Sequence, residues 1–272
     1  SANSASSEKS YGEDVFAEQR AQKGSWAARM NMDYPGLSVL HREPDIFEVR
    51  DFLGDKEIEE LISRARPWLR PSTLVVGNER GPSEDLRTSS TISIKKSETE
   101  WLLEKVRMLT NKPIADMEPA QIGHYKSDEF FAPHNDAADM TAKAGKLFFE
   151  TGGNRLVTVL IYLNSLKEGG GTMFDNIELE VRPEKGKAVV FFPATMDAKV
   201  DTRVRHQALR PGGEAEKWVS QVWIREGAFI APKPPPDYGS YALIVWGVCM
   251  LAWISTWIGK IDFQKLGLVF FP

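Results

Sequence analysis

The sequence predicts a mainly β protein with flanking helices, an antiparallel sandwich or jelly roll, followed by one C-terminal transmembrane helix. Three observations lead there. From Pro119 onward, short β-type runs ("AQIGHY", "RLVTVLIYL", "TMFDN", "LEVRP", "KAVVFFP", "WVSQVWIRE") succeed one another with turn residues between them. No long helical pattern separates them, which argues against a parallel nucleotide-binding sheet. Helical periodicity is confined to the stretch ahead of these runs. Beyond them, "YALIVWGVCMLAWISTWIG" extends from 241 to 259 without a charge, close to the roughly 20 residues that cross a bilayer as a helix.

In chain order, residues 1–45 lack a sustained apolar period. "EDVFAEQRAQKGSWAARM" offers one short helix, and the breakers "DYPGL" and "REPD" come after it, so this part reads as an extension. A domain spanning 46–230 opens with "IFEVRDFLGDKEIEELISRARPWL": a short strand, then a helix starting near Asp55 with Ile58, Leu61, Ile62 and Ala65 on one face. A second helix fits "SETEWLLEKVRMLTN", where Trp101, Val106 and Leu109 align with Leu102 alongside. The strands come next. The "EGGGT" between two of them is a connecting turn, since a phosphate loop would continue into Lys-Ser/Thr and a helix. "APKPPPDYGS" (231–240) is a stiff polyproline-type spacer. The 241–259 segment carries Tyr241 and Trp257 near its ends, where interfacial aromatics sit, and residues 260–272 form a tail that rests at the membrane interface.

Composition narrows the chemistry. With 272 residues, 42% hydrophobic and 26% charged, the chain has the makeup of a folded protein. Its formal net charge of -4 and lack of a Lys/Arg run give no pull toward nucleic acid, which is not expected as a partner. The single cysteine, Cys249, excludes an intrachain disulfide, a zinc finger and a Cys-Cys redox pair, so a metal site must use histidine and carboxylate. The opening "SANSASSEKS" has no starting methionine and reads as a processed end after a lost targeting segment, or as an artificial boundary.

"FAPHNDAADM" places His134 one residue from Asp136 in a chain of four histidines. A metal site needs a third ligand from another strand, and His41, His124 and His206 are available. His41 precedes the strand region, His124 suits packing within its first strand, and His206 stands just before the last strand. Two histidines and one carboxylate on one face of a metal leave open positions, the arrangement of non-haem Fe(II) oxygenases. Taken alone, His206 reads as an ordinary solvent-edge histidine. Lys217 shares a strand face with Val219, Gln221 and Trp223. If that face is interior, Lys217 is a buried cation that requires a carboxylate, which a dicarboxylate co-substrate would supply; the plain alternative is a lysine snorkelling from a strand end.

At this point the sequence resembles a family. "LRTSSTISI", "AQIGHYKSDEFFAPHND", "GNRLVTVLIYLNSLKEGGGTMF", "KGKAVVFFP" and "RHQALRPGGEAEKWVSQVWIRE" look like the prolyl 4-hydroxylase branch of the Fe(II)/2-oxoglutarate dioxygenases, over roughly Ile46 to Gly227. The resemblance implies a double-stranded β-helix of the jelly-roll or cupin type. It implies that His134, Asp136 and His206 bind Fe(II), and that Lys217 pairs with the distal carboxylate of 2-oxoglutarate, helped by Tyr125 and Thr158. Arg87, Ser89 and Arg155 would lie near a groove for a proline-containing peptide, and "VVGNERGPSEDLR" would be a mobile loop closing over it. The implied reaction consumes O2, decarboxylates 2-oxoglutarate to succinate and hydroxylates a C-H bond, with ascorbate rescuing oxidised iron. The sequence departs from the family at Ala137 and Ala138, where aromatics are common, at Gly171 in place of an acid, and in the insert "ADMTAKAGKLFFETGG".

Three readings are open: a membrane-anchored prolyl hydroxylase; a dioxygenase-fold structural subunit of a larger photosynthetic or respiratory membrane complex; or a cupin-like binding module without oxidative chemistry. The family suggests the endoplasmic reticulum, and a disulfide-free chain also suits a plastid or mitochondrial membrane.

Overall fold

The computed structural model describes residues 29–76, 79–82 and 86–232. The chain enters with β1 (Leu37–Arg42) and β2 (Asp45–Val49), then α1 (Asp55–Ala65). Three short pieces come next, β3 (Arg70–Pro71), β4 (Thr73–Val76) and β5 (Glu79–Pro82), then β6 (Ser90–Ser93) and α2 (Glu100–Thr110). The second half holds β7 (Gln121–Tyr125), β8 (Phe131–His134), α3 (Lys143–Glu150) and β9 (Arg155–Tyr162). It closes with β10 (Thr172–Phe174), β11 (Leu179–Val181), β12 (Ala188–Phe191), β13 (His206–Ala208) and β14 (Lys217–Arg225).

The strands form an eight-stranded sheet in the order β1-β2-β12-β9-β14-β7-β6-β3, a four-stranded sheet β11-β10-β13-β8 and the hairpin β4-β5. All of their pairings are antiparallel. One face of the large sheet is covered by α1 and α2. There Val157, Val159 and Ile161 of β9 and Trp218, Val222 and Ile224 of β14 join Ile58, Leu61, Leu102 and Val106 in one apolar cluster. The other face looks toward the small sheet, where Leu160, Tyr162, Val189, Phe191 and Val219 meet Phe131, Phe174 and Val181. A strand buried on both faces has no polar positions to alternate with apolar ones, which is why "RLVTVLIYL" reads as a nearly continuous apolar run.

The helices obey local rules. Glu57 accepts a hydrogen bond from the Gly54 N-H (2.8 Å) and so satisfies one of the free amides opening α1. Helix α2 stops at Asn111, which takes the left-handed conformation (φ 53°). The buried stripe of α2 is Leu102, Leu103, Val106 and Leu109, while Trp101 is only partly covered. Leu102, Val106 and Leu109 are thus buried as expected, and Leu103 takes the inward place expected of Trp101.

Two features depart from expectation. β1 lies ahead of the boundary expected at residue 46 and pairs with β2 along its length; as a half-exposed edge strand it carries little apolar signal. The segment expected as a loop, "VVGNERGPSEDLR", includes the end of β4 and the whole of β5, which pair as a hairpin. Among the described residues no helix is long and apolar enough to cross a membrane. The transmembrane helix expected at 241–259 and the tail at 260–272 lie outside the described residues.

Candidate metal centre and co-substrate pocket

The small sheet assembles the site. His134 ends β8 and His206 begins β13, and the two are direct partners across that antiparallel pair. Asp136 stands two residues beyond β8, where the chain turns inward. One ligand atom from each of His134, Asp136 and His206 lies within 4.8 Å of the others. Nε2 of His134 is 3.6 Å from Oδ1 of Asp136, and Nε2 of His206 is 3.9 Å from Oδ2.

Both imidazoles are oriented from behind. Nδ1 of His134 lies 2.9 Å from the Ala132 carbonyl and Nδ1 of His206 lies 3.0 Å from the Val204 carbonyl. A carbonyl only accepts, so each Nδ1 carries the proton and each Nε2 presents a lone pair to the centre. These Nε2 atoms are buried and make no hydrogen bond. Phe131 stacks on His134 at 3.5 Å between centroids, and Phe191 meets His206 edge-on at 4.7 Å. Burial, and after it the charge of His134, pushes His206 down to about 4. Burial would raise the Asp136 carboxyl, but the neighbouring histidines and Arg155 outweigh it and hold the group well below its ordinary range. Neutral imidazole and ionised carboxylate are the metal-binding forms. Two converging lone pairs and one carboxylate fit a divalent iron of the two-histidine, one-carboxylate type.

A cavity opens beside the triad, lined among others by Tyr125, Phe131, Leu160, Thr172, Lys217 and Val219. Lys217 is 1% exposed, and its Nζ has no carboxylate within ion-pair distance among the described residues. Its nearest polar neighbour is the Gly171 carbonyl at 3.5 Å, and the rings of Tyr125 and Tyr162 lie 5.3 and 5.7 Å away. Burial alone lowers its pKa to about 7. A cation this deep in a cavity, lacking a counter-charge of its own, fits an anionic ligand. The "EGGGT" turn shapes this end of the cavity. Gly169 and Gly170 take φ of 63° and 66°, and a side chain at Gly170 would collide with Leu166.

The other expected positions fall into place unevenly. Tyr125 lines the cavity opposite Lys217, its partner in the β7-β14 register. Thr158, expected on 2-oxoglutarate, instead donates its hydroxyl to Oδ2 of Asp136 at 2.7 Å. The cavity threonine is Thr172, whose hydroxyl lies 2.8 Å from that of Tyr162, which in turn donates to the Val181 carbonyl at 2.9 Å. Its sequence signal was the glycine turn immediately before it. Arg155, expected at a peptide groove, forms a two-point ion pair with Glu118 (2.6 and 3.0 Å), and its guanidinium lies 3.8 Å over the Trp223 ring. Glu118 also receives Arg225 at 2.9 Å. Nothing in "DMEPAQ" marks Glu118 as a buried anion. Arg87 donates to Ser89 (3.1 Å) and Gln121 (3.2 Å), with its guanidinium 4.5 Å from the Phe131 ring centre. The two remaining histidines stand apart from the triad: His124 stacks on Trp218 and meets Glu216 at 3.0 Å, and His41 binds the Pro44 carbonyl.

Comparison with known proteins agrees with this chemistry. The 2OG-Fe(II) oxygenase superfamily profile matches residues 120–225, a stretch that contains the triad and Lys217. The probable prolyl 4-hydroxylase 6 of Arabidopsis thaliana is 30% identical over 222 residues, which cover 73% of this chain and 75% of that protein. A putative prolyl 4-hydroxylase of Acanthamoeba polyphaga mimivirus is 27% identical over 201 residues, or 73% of this chain and 81% of its own. In fold, the chain matches the viral collagen prolyl hydroxylase of Paramecium Bursaria Chlorella virus-1, solved as a 2OG complex. The TM-score is 0.51 at 23% identity, over 66% of this chain and 94% of that one. The chain belongs to the prolyl 4-hydroxylase-like branch of the 2-oxoglutarate-Fe(II) oxygenase superfamily and is a 2-oxoglutarate-dependent dioxygenase.

Proposed function

We propose that the protein hydroxylates prolyl residues of a peptide or protein substrate. The observation that carries the catalytic reading is the juxtaposition of the His134-Asp136-His206 triad with Lys217, a buried cation whose counter-charge is not supplied by the described residues. A metal-binding module alone has no use for that lysine. The naming of the relatives supports proline as the target.

His134, Asp136 and His206 would hold Fe(II), and Lys217 would take the distal carboxylate of 2-oxoglutarate. Tyr125 and Thr172, on the same wall, would add hydroxyl contacts. Iron, 2-oxoglutarate and O2 together supply the oxidising power that turns a C-H into a C-OH as 2-oxoglutarate becomes succinate and CO2. The protein contributes orientation and dryness. Phe131 fixes the His134 ring by stacking, the two backbone carbonyls fix the imidazole tautomers, and Leu160 and Val219 give the cavity apolar walls. Ser89 is fully buried and hydrogen-bonded to Ser72 and Arg87, so Arg87 and Ser89 would back the wall beside Phe131 past which a peptide approaches. Arg155 is bound up with Glu118, so it supports the wall of the site more than it offers itself to a ligand. Ascorbate would restore iron oxidised in unproductive turnovers.

We also propose, from the uncharged 241–259 segment alone, that the chain is held to a membrane; resistance to alkaline extraction tests this. The chemistry is tested by adding Fe(II) and 2-oxoglutarate anaerobically to the protein and to His134→Ala. O2 and poly(L-proline) are then admitted while succinate and hydroxyproline are assayed. The expected result is a visible charge-transfer band, succinate and hydroxyproline in the unmutated protein only. Succinate without hydroxyproline would move the target to another residue. Absence of both band and succinate would favour a structural subunit, and co-purification with a membrane complex would then be sought.

A further inference from the structure

We propose that Thr158 is a positioning residue that keeps Asp136 a one-oxygen metal ligand, a role that rests on the iron-site reading but not on the identity of the substrate. Thr158 is fully buried on β9, Asp136 is 4% exposed, and the Thr158 hydroxyl donates to Oδ2 at 2.7 Å. Oδ1 lies 3.6 Å from Nε2 of His134 and Oδ2 lies 3.9 Å from Nε2 of His206, so both oxygens face the imidazoles and Oδ2 is the one already engaged by the hydroxyl. Three ligands on one face of a metal leave the opposite face for a chelating co-substrate and O2. A carboxylate that bound through both oxygens would spill onto that open face. The hydroxyl engages one oxygen and so turns the carboxylate about its axis, setting which oxygen is free to ligate.

The same strand fixes the backbone beneath. Asn154, fully buried just ahead of β9, accepts from the Ala138 N-H (3.0 Å) and donates to the Ala138 carbonyl (2.9 Å), and donates again to the Ala198 carbonyl (3.0 Å). This two-point bridge closes the base of the segment 139–153, which carries α3. The chain is thus pinned by Asn154 at Ala138, two residues beyond Asp136, while Thr158 holds the Asp136 carboxylate itself. The histidines are carried by the small sheet, while the carboxylate is held by a residue of the large one.

The test compares Thr158→Val, which keeps shape and removes the hydroxyl, with Thr158→Ser, which keeps the hydroxyl. Fe(II) and Mn(II) dissociation constants are measured anaerobically in the full chain, with neither 2-oxoglutarate nor peptide, after thermal melting shows that each variant folds. Thr158→Val is expected to bind metal about 10- to 100-fold more weakly, with Thr158→Ser close to the unmutated protein. Equal affinity in Thr158→Val, or equal weakening in both variants, would overturn the proposal. A measurement on the unmutated chain guards against a variant that does not fold: infrared difference spectra of the 13C-aspartate-labelled protein with and without Zn(II). Widely separated carboxylate stretches are expected for a one-oxygen ligand, and closely spaced ones, the signature of a chelating carboxylate, would refute it. Failure of the unmutated protein to bind metal would bring down the iron-site reading and this one with it, whereas failure to hydroxylate proline would leave it standing.

Discussion

Lys217 and Arg225 begin and end the same strand, both are buried, and only one of them has a counter-charge. At the Arg225 end, Glu118 accepts from both Arg225 and Arg155, and the Gly153 carbonyl takes a further guanidinium hydrogen (2.8 Å). Burial still lowers Arg225 to about 10, against the pull of Glu118. At the Lys217 end a single carbonyl stands at 3.5 Å and no carboxylate is near among the described residues. A network of this kind belongs to the architecture, because both guanidiniums share a carboxylate of the protein's own before any ligand arrives. A lone buried cation is costly by itself and is explained by what it binds.

The difference can be broken from either end. The largest effect is expected from Glu118→Ala, which strands two buried guanidiniums: the protein should lose about 3–5 kcal/mol of stability, read as a lower urea midpoint, while the folded fraction keeps its 2-oxoglutarate band. Lys217→Met should do the opposite. Removing an unpaired buried charge is expected to raise stability by about 1–4 kcal/mol and to weaken 2-oxoglutarate binding by about 2–5 kcal/mol, so thermal melting and anaerobic titration should move in opposing senses. Unchanged 2-oxoglutarate affinity in this variant would remove Lys217 from the site.

A smaller effect, and a sharper one, is pH. The lysine pKa in the free protein is lowered to about 7, and a bound carboxylate would raise it again. Affinity for 2-oxoglutarate should therefore be level below about pH 7 and fall toward tenfold per unit above it, until the pKa of the complex is reached. The same group makes the free protein gain stability as pH rises from about 7 toward the ordinary lysine range, because in that window the unfolded chain holds a proton that the folded chain has released. A 2-oxoglutarate dissociation constant that stays flat from pH 6 to 9 would contradict the buried-cation account.

The sequence was most legible where burial is densest. "RLVTVLIYL", "KAVVFFP" and "WVSQVWIRE" became β9, β12 and β14 of the large sheet, because central strands leave long apolar runs. The small sheet was legible only by half: "TMFDN" and "LEVRP" became β10 and β11, whereas "FAPH" and "HQA" are three or four residues long, too short for any period, and β8 contains Pro133. The helix Lys143–Glu150 was likewise hidden within an insert. The site divides the same way. His134 and Asp136 are neighbours in sequence, whereas His206 joins them only through the β8-β13 pairing.

By itself the sequence determined the residue types on offer: histidine and carboxylate for a metal, and a lysine whose strand face was left open between interior and edge. It also determined the mainly β class, because hydrophobic patterning is a local property. Only the tertiary structure decided which threonine meets which partner. Thr158 and Thr172 both lie on strands beside the site, and strand register sends one to Asp136 and the other to the cavity. It likewise decided that Arg155 closes on Glu118 and that Lys217 meets no acid among the described residues. The physical reason is that pairing of charges depends on distance in space, which sheet register and packing set and which chain order does not encode locally.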